Sequence, residues 1–247
     1  MLAAVAILTA ACGGGAADDV TSGPPTSIEC LDPTSEPVTA EPTSSDRGLD
    51  ASTPDVPDPR IELVVVGDSI VAENLDLIDQ VLTDDGRSNV HYAALGARRI
   101  AETSDYLGER PSGLEAIDVC RDRGLMPATW VIELGTNDIP AISDSEDPAA
   151  AAGALIDAVL DELGQVESIS WVTVLDRGLL DASRVFNDAL QERAAARPEL
   201  AIIDWYAAAV DHPEWFEDDV HPNELGATAL AELVLAELER LDDARDP

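Results

Sequence analysis

The chain has 247 residues, 50 of them acidic and 14 basic, for a formal net charge of −36. Apolar residues make up 45% of it, enough for a real core, so this is not a disordered acidic tail. Charge of this sign argues against nucleic acid and anionic membrane surfaces as partners, because like charges repel. Every basic residue is arginine, which excludes Schiff-base, phosphate-loop lysine and Ser-Lys chemistry.

Residues 1–11, MLAAVAILTAA, are apolar and uncharged. They are too few to span a bilayer, which takes about 20 residues. Small residues followed by Cys12 and Gly13–Gly15 read as the apolar region and cleavage site of an export signal. Thr9-Ala10-Ala11-Cys12 resembles a bacterial lipoprotein box, in which Cys12 becomes the lipidated first residue, with Thr9 where such boxes usually carry Leu. The plainer alternative is an ordinary secretory signal cut nearby. Either way the protein is expected to be exported, lipid-anchored on the extracytoplasmic side of the membrane through Cys12 or secreted. Residues 13–60 hold eight prolines, many Ser and Thr, and 10 acidic against 2 basic residues. Such a stretch cannot bury enough surface to offset the entropy of ordering, and it reads as a solvated, extended linker. Residues 1–12 are thus expected as signal, 13–60 as linker and 61–247 as the folded domain.

From residue 61 short apolar runs alternate with amphipathic stretches, the pattern of β-α-β units around a parallel sheet. Strands are expected over 61–66, 89–95, 128–134, 169–175 and 200–205, and helices over 70–83, 112–122, 148–164, 180–195 and 224–241. Asn223, after Pro222, is placed to cap the last helix. Five alternations predict a three-layer α/β/α domain with a five-stranded parallel sheet, a normal single-domain size.

Three strands run directly into chemistry-bearing turns: IELVVV into Gly67-Asp68-Ser69, HYAAL into Gly96-Ala97-Arg98, and WVIEL into Gly135-Thr136-Asn137-Asp138. Ligands of open parallel sheets bind beyond the carboxyl ends of the strands, so these loops are expected to converge. A serine on a strand-to-helix turn presents its Oγ where backbone N–H groups and the helix dipole favour an oxyanion. Gly67 permits a sharp turn, and Asp68 can bond loop amides or cap the helix. Such a serine needs a base, and the chain has three histidines. His91 lies within an expected strand and reads as packing or sheet surface. His212 follows Asp211 directly, but adjacent side chains diverge. His221 alone has a carboxylate three residues before it, Asp218, on a loop entering a helix. That offset lets Asp218 orient a neutral imidazole, the requirement for general-base activation of serine.

Gly67-Asp68-Ser69-Ile70, Gly96, Gly135-Thr136-Asn137-Asp138 and Asp218-x-x-His221 resemble, in order and spacing, the four blocks of the SGNH (GDSL-type) hydrolase superfamily. The resemblance covers residues 61–241. It implies a flavodoxin-like α/β/α fold and acyl-ester chemistry at serine, with no metal or cofactor. Carried over, it makes Ser69 the nucleophile and first oxyanion donor, Gly96 the second donor through its N–H, Asn137 the third through its side-chain amide, His221 the base and Asp218 its orienting carboxylate. Block II departs most: ALGARR lacks the Asn-x-Gly context common in the family, and Gly96 also reads as a simple turn glycine. The approach His212-Pro213-Glu214-Trp215-Phe216 before DDVHPNELG also looks like extracytoplasmic SGNH domains linked to O-acetylation of cell-wall polysaccharides.

The expected function is therefore that of a serine esterase acting on a short acyl group. Its substrate would be an O-acyl ester of an envelope carbohydrate or a small ester, with O-acetyl transfer as a variant of the same chemistry. The alternative is a non-catalytic carbohydrate-binding lipoprotein of the cell envelope that keeps the fold. The sequence shows no long apolar lid segment of the kind a long-chain lipase uses. The chain is expected to act as a monomer. Arg98 is a candidate ligand for a carbohydrate or carboxylate, with a surface salt bridge as the alternative. Cys30 and Cys120 are expected to form a disulfide pinning the linker to the domain, with two unrelated free thiols as the alternative. Glu133, inside an otherwise apolar strand, needs a polar partner if it is buried.

Overall fold

The computed structural model describes residues 63–87, 89–104, 110–125 and 127–245. The expected signal with Cys12, the linker with Cys30, and residues 61 and 62 lie outside the described residues. Five strands, β1 (Leu63–Gly67), β2 (Val90–Ala94), β3 (Thr129–Glu133), β4 (Ser168–Val172) and β5 (Leu200–Ile203), form one parallel sheet in the order β2-β1-β3-β4-β5. The helices are α1 (Ser69–Glu73), α2 (Leu75–Asp84), α3 (Gly113–Asp122), α4 (Ile139–Ser143), α5 (Pro148–Leu163), α6 (Leu180–Ala196), α7 (Trp205–Ala209) and α8 (Glu224–Arg245), with 3₁₀ turns at Thr136–Asp138 and Pro213–Trp215.

The alternation of side chains along each strand divides the core in two. Val64, Val66, Trp130, Ile132 and Trp171 face α3, α4, α5 and α6. Leu63, Val65, Val131, Val172 and Ile203 face α1, α2, α7 and α8. Both faces are covered, which explains why the strands read as apolar runs rather than alternating ones. The expected three-layer fold and parallel five-stranded sheet are thus present. The order matches the flavodoxin type, whose chain reverses direction across the sheet at the β1/β3 boundary.

Element boundaries differ from expectation where side-chain hydrogen bonds intervene. The helix expected over 70–83 breaks at Asn74, whose Nδ2 donates to the Ile70 carbonyl at 2.9 Å while its own N–H donates to Val71. Local bonding of this kind competes with the regular ladder. β5 stops at Ile203, not 205, because the Asp204 side chain accepts from the Ala207 N–H at 3.1 Å and starts α7. Asn223 caps α8 as expected, its Oδ1 accepting from Leu225 and Gly226.

The turn after β3 depends on a backbone that only glycine adopts easily. Gly135 has φ +123°, and a Cβ there would lie 2.6 Å from Phe186 Cζ. Phe186 is itself fully buried against Trp171. Gly135→Ala is therefore expected to combine backbone strain with overpacking, each worth roughly 1–3 kcal/mol. Urea denaturation should show a loss of about 2 kcal/mol or more, with the slope unchanged; a loss below half of that would contradict the strain.

Candidate active site

Ser69 opens α1 at the carboxyl end of β1. The turn is tight: a Cβ at Gly67 would lie 2.5 Å from Val71 Cγ2, so only glycine lets α1 fold back this closely. Asp68 caps the helix, its Oδ1 accepting the Ile70 N–H at 2.9 Å. Its Oδ2 accepts from Asn137 Nδ2 at 2.9 Å, which ties the β1 turn to the β3 turn. This link was not read from the sequence; the signal lay in two polar turns after neighbouring strands.

His221 arrives from the far end of the sheet on a closed loop. Phe216 and Pro222 bridge its ends, and the Glu217 N–H donates to the His221 carbonyl at 2.9 Å. The Arg177 guanidinium lies 5.2 Å from the Phe216 ring centroid, and the Arg177 N–H donates to Asp219 O at 2.8 Å, tethering the loop to the segment after β4. Within the loop Asp218 Oδ1 accepts from the Val220 and His221 N–H groups, both at 2.7 Å. Asp218 Oδ2 lies 2.8 Å from His221 Nδ1, and His221 Nε2 lies 3.0 Å from Ser69 Oγ. With Asp218 ionised, Nδ1 carries the proton and Nε2 is left to accept from the serine hydroxyl.

These side chains open onto a pocket of about 410 Å³ lined by Ser69, Glu73, Gly96, Ala97, Arg110, Asn137 and His221. Five of the expected residues, Ser69, Gly96, Asn137, His221 and Asp218, are thus brought together. Gly96 sits in a turn closed by the Arg98 N–H on Leu95 O, in which Ala97 holds φ +58°. Asp138 latches this turn's continuation: its Oδ2 accepts the Ile100 N–H at 3.0 Å. The expected substrate role of Arg98 is corrected. Arg98 is fully buried, and its guanidinium donates to the carbonyls of Gly67, Ala93 and Pro111, so it braces the turns from beneath and cannot reach the pocket. The arginine that does line the pocket is Arg110, with Glu73 as its acidic counterpart. His212 bonds Glu214 at 2.8 Å and stacks on Trp215, away from this site. His91 belongs to β2 and is likewise no part of it. Among the described residues no cluster of three or more His, Cys, Asp or Glu side chains is placed to hold a metal ion.

The GDSL-like lipase/acylhydrolase family matches residues 65–229, the span that carries all of these blocks. The chain belongs to this family. It is 27% identical over 186 residues to a homoserine kinase of Mycobacterium ulcerans, covering 69% of this chain and 56% of that one. It is 30% identical over 110 residues to the O-acetyltransferase OatA of Staphylococcus aureus, covering 44% of this chain and 16% of that one. The chain therefore spans little more than half of one relative and a small part of the other. In fold it is similar to the C-terminal catalytic domain of the Streptococcus pneumoniae peptidoglycan O-acetyltransferase A, with a TM-score of 0.56 at 18% identity over 74% of this chain and 94% of that domain.

The electrostatics separate two kinds of carboxyl. Burial raises the Asp218 carboxyl, but the His221 N–H, the imidazole and the Val220 N–H outweigh it and hold it down at about 2. Asp138 goes the other way: burial dominates the opposing Ile100 N–H and Arg99 charge and pushes it up to about 6. At His221 burial lowers the imidazole, yet the Asp218 hydrogen bond and charge, with Glu73 and Asp68, raise it on balance above its ordinary 6.5. A base at His221 works only when neutral, so activity is lost as pH falls through a midpoint above 6.5. The Asp218 contact is short-range and poorly screened. The field of the surrounding acids, net −28 over residues 61–247, is long-range. The screening length shrinks from ~30 Å at 0.01 M to ~3 Å at 1 M salt, so NaCl should move the acid limb to lower pH. A kcat/KM–pH profile at low and high NaCl checks this; a limb that stays put or rises would show that the field does not control His221.

Proposed function

We propose that this protein is a serine esterase, or acyltransferase, acting on a short O-acyl ester of an envelope carbohydrate or on a small ester. The observation that carries the reading is the unbroken relay from Ser69 Oγ to His221 Nε2 at 3.0 Å and from His221 Nδ1 to Asp218 at 2.8 Å. In this scheme Ser69 Oγ attacks the ester carbonyl carbon while Nε2 takes the hydroxyl proton. The tetrahedral oxyanion is held by the N–H groups of Ser69 and Gly96 and the Asn137 amide. The alcohol leaves as the acyl C–O bond breaks, and His221 returns the proton to it. Water then attacks the acyl-serine in hydrolysis, or an acceptor hydroxyl does so in transfer, with His221 again as base. The likeness to peptidoglycan and bacterial O-acetyltransferases supports a short acyl group, an acetyl on a saccharide.

The export reading fits the same picture. Lipidation at Cys12 and a linker over 13–60 would hold the domain clear of the membrane surface. Among the described residues no helix is long and apolar enough to cross a membrane. Cys120 is buried on α3 and disulfide-bonded, and the chain's other two cysteines, Cys12 and Cys30, lie outside the described residues. We assign Cys30 as its partner. In protein lacking Cys12, thiol titration after denaturation without reductant should find no free thiol; two per chain would exclude the bond.

The chemical assignment is tested with p-nitrophenyl acetate and with acetate release from O-acetylated oligosaccharides. Ser69→Ala and His221→Ala should each lower kcat by several orders of magnitude, with the double variant little worse than either, because the members act as a unit. Asn137→Ala should lose roughly 10²–10³ in kcat with a smaller change in KM. Near-normal turnover by Ser69→Ala would overturn the assignment of Ser69 as nucleophile, and absence of turnover by the wild type would favour a non-catalytic binding protein.

A further inference from the structure

Glu133 is a buried carboxyl that the relay above does not use. It ends β3, is 4% exposed, and stands opposite Gly67 in the β1–β3 pairing. It shares an apolar cavity lining with Val65, Val71, Val131 and Val172. Its Oε2 accepts the Asp68 N–H at 3.4 Å, which sets two buried carboxyls side by side, each bearing on the other's ionisation. Two carboxyls in such a setting do not both ionise.

The proton's place follows from the donors around each group. Asp68 is supplied with the Ile70 N–H and Asn137 Nδ2, both at 2.9 Å. Arg98 and His221 act on Asp68 in the same direction, and Asp138 opposes them. At Glu133 the Asp68 charge adds to burial and favours the neutral form. Burial raises both carboxyls, and raises Glu133 well above the usual range. Asp68 is then the carboxylate and Glu133 the neutral acid beside it, its Oε2 accepting the Asp68 N–H. An Asn amide has two N–H hydrogens. With one held by Asp68, the other has a fixed direction toward the pocket that Asn137 lines.

We propose that Glu133 is a positioning residue: as a neutral acid beneath the nucleophile turn it clamps Asp68, and Asp68 aims the Asn137 amide at the forming oxyanion. This rests on the acyl-transfer reading of Ser69 and Asn137. It requires of Glu133 a neutral hydrogen-bonding group of the right length, not a charge, and that requirement distinguishes it from a structural role alone.

Four variants of the full chain test it on p-nitrophenyl acetate: Glu133→Gln, Glu133→Leu, Asn137→Ala and the Glu133→Leu/Asn137→Ala double. Glu133→Gln keeps a neutral hydrogen-bonding group and should hold kcat within about threefold of the wild type, with the acid limb of the pH profile unmoved. Glu133→Leu should lower kcat by about ten- to a hundredfold, less than full loss of an oxyanion donor, with KM within about twofold. The double variant should be no slower than Asn137→Ala, because both changes act through one amide. The proposal is overturned if Glu133→Gln loses as much as Glu133→Leu, if Glu133→Gln moves the acid limb downward as loss of a nearby negative charge would, or if the Leu and Asn137 losses multiply. Should Glu133→Leu fail to fold by circular dichroism, the rate and pH profile of Glu133→Gln decide alone. Failure of the acyl-transfer reading shows separately, as wild-type turnover by Ser69→Ala.

Discussion

A parallel sheet sends every strand toward the same edge, and the chemistry of this chain depends on that constraint. Each strand must be followed by a return path over one face, so the turns leaving the strands collect along one rim. In the order β2-β1-β3-β4-β5, β1 lies between β2 and β3. The Ser69 turn is therefore flanked by the Gly96 turn on one side and the Asn137 turn on the other. The Asp68–Asn137 hydrogen bond, 69 positions apart in sequence, is a consequence of that adjacency. His221 comes by a different route. Its loop is rigid in itself, closed by the Phe216–Pro222 bridge and by Asp218 accepting from two backbone amides, and it is delivered to Ser69 by the packing of α8 against the α2 face.

Beneath the rim lies an unusual concentration of buried ionisable groups for so apolar a sheet. Arg98, Asp68, Glu133 and Asp138 are all nearly or fully buried within a few turns of one another. Burial lowers Arg98 to about 10, which leaves it charged, with the opposing influence of Asp68 and Glu115 keeping it from falling further. Its guanidinium donates to carbonyls at the β1 and β2 ends, those of Gly67 and Ala93. A buried charge is tolerable only with such partners, and removing one member of the cluster would leave another uncompensated. Asp218, by contrast, is half exposed and held ionised chiefly by hydrogen-bond donors, with the His221 charge acting the same way. One site thus keeps a carboxylate, an acid and an imidazole in different protonation states by environment alone.

Much of this was legible in the sequence. The five alternations of apolar run and amphipathic stretch are a property of consecutive residues, and they led to the right number of strands, the right layers and the right order of helices. The turns Gly67-Asp68-Ser69 and Gly135-Thr136-Asn137-Asp138 announced themselves by ending apolar strands, and Asp218-x-x-His221 by an offset that one tight turn can close. Boundaries were less legible where a single side chain overrode the pattern, as Asn74 does inside the expected first helix and Asp204 at the end of β5. The short helix α4 was missed because five residues with a proline at its start carry too little periodicity to register.

By itself the sequence determined the architecture and singled out the candidate site residues, because both are encoded in local spacing. Tertiary structure alone decided which polar groups are buried together. Arg98 and Arg110 are both arginines near the same rim; only the fold places the first under the turns and the second in the pocket. Glu133 looked anomalous in an apolar strand, and its partner, Asp68, lies 65 positions away on the neighbouring strand's turn. Burial, and with it the protonation state of such a pair, depends on what distant segments bring to one place, and no local pattern of residues carries that information.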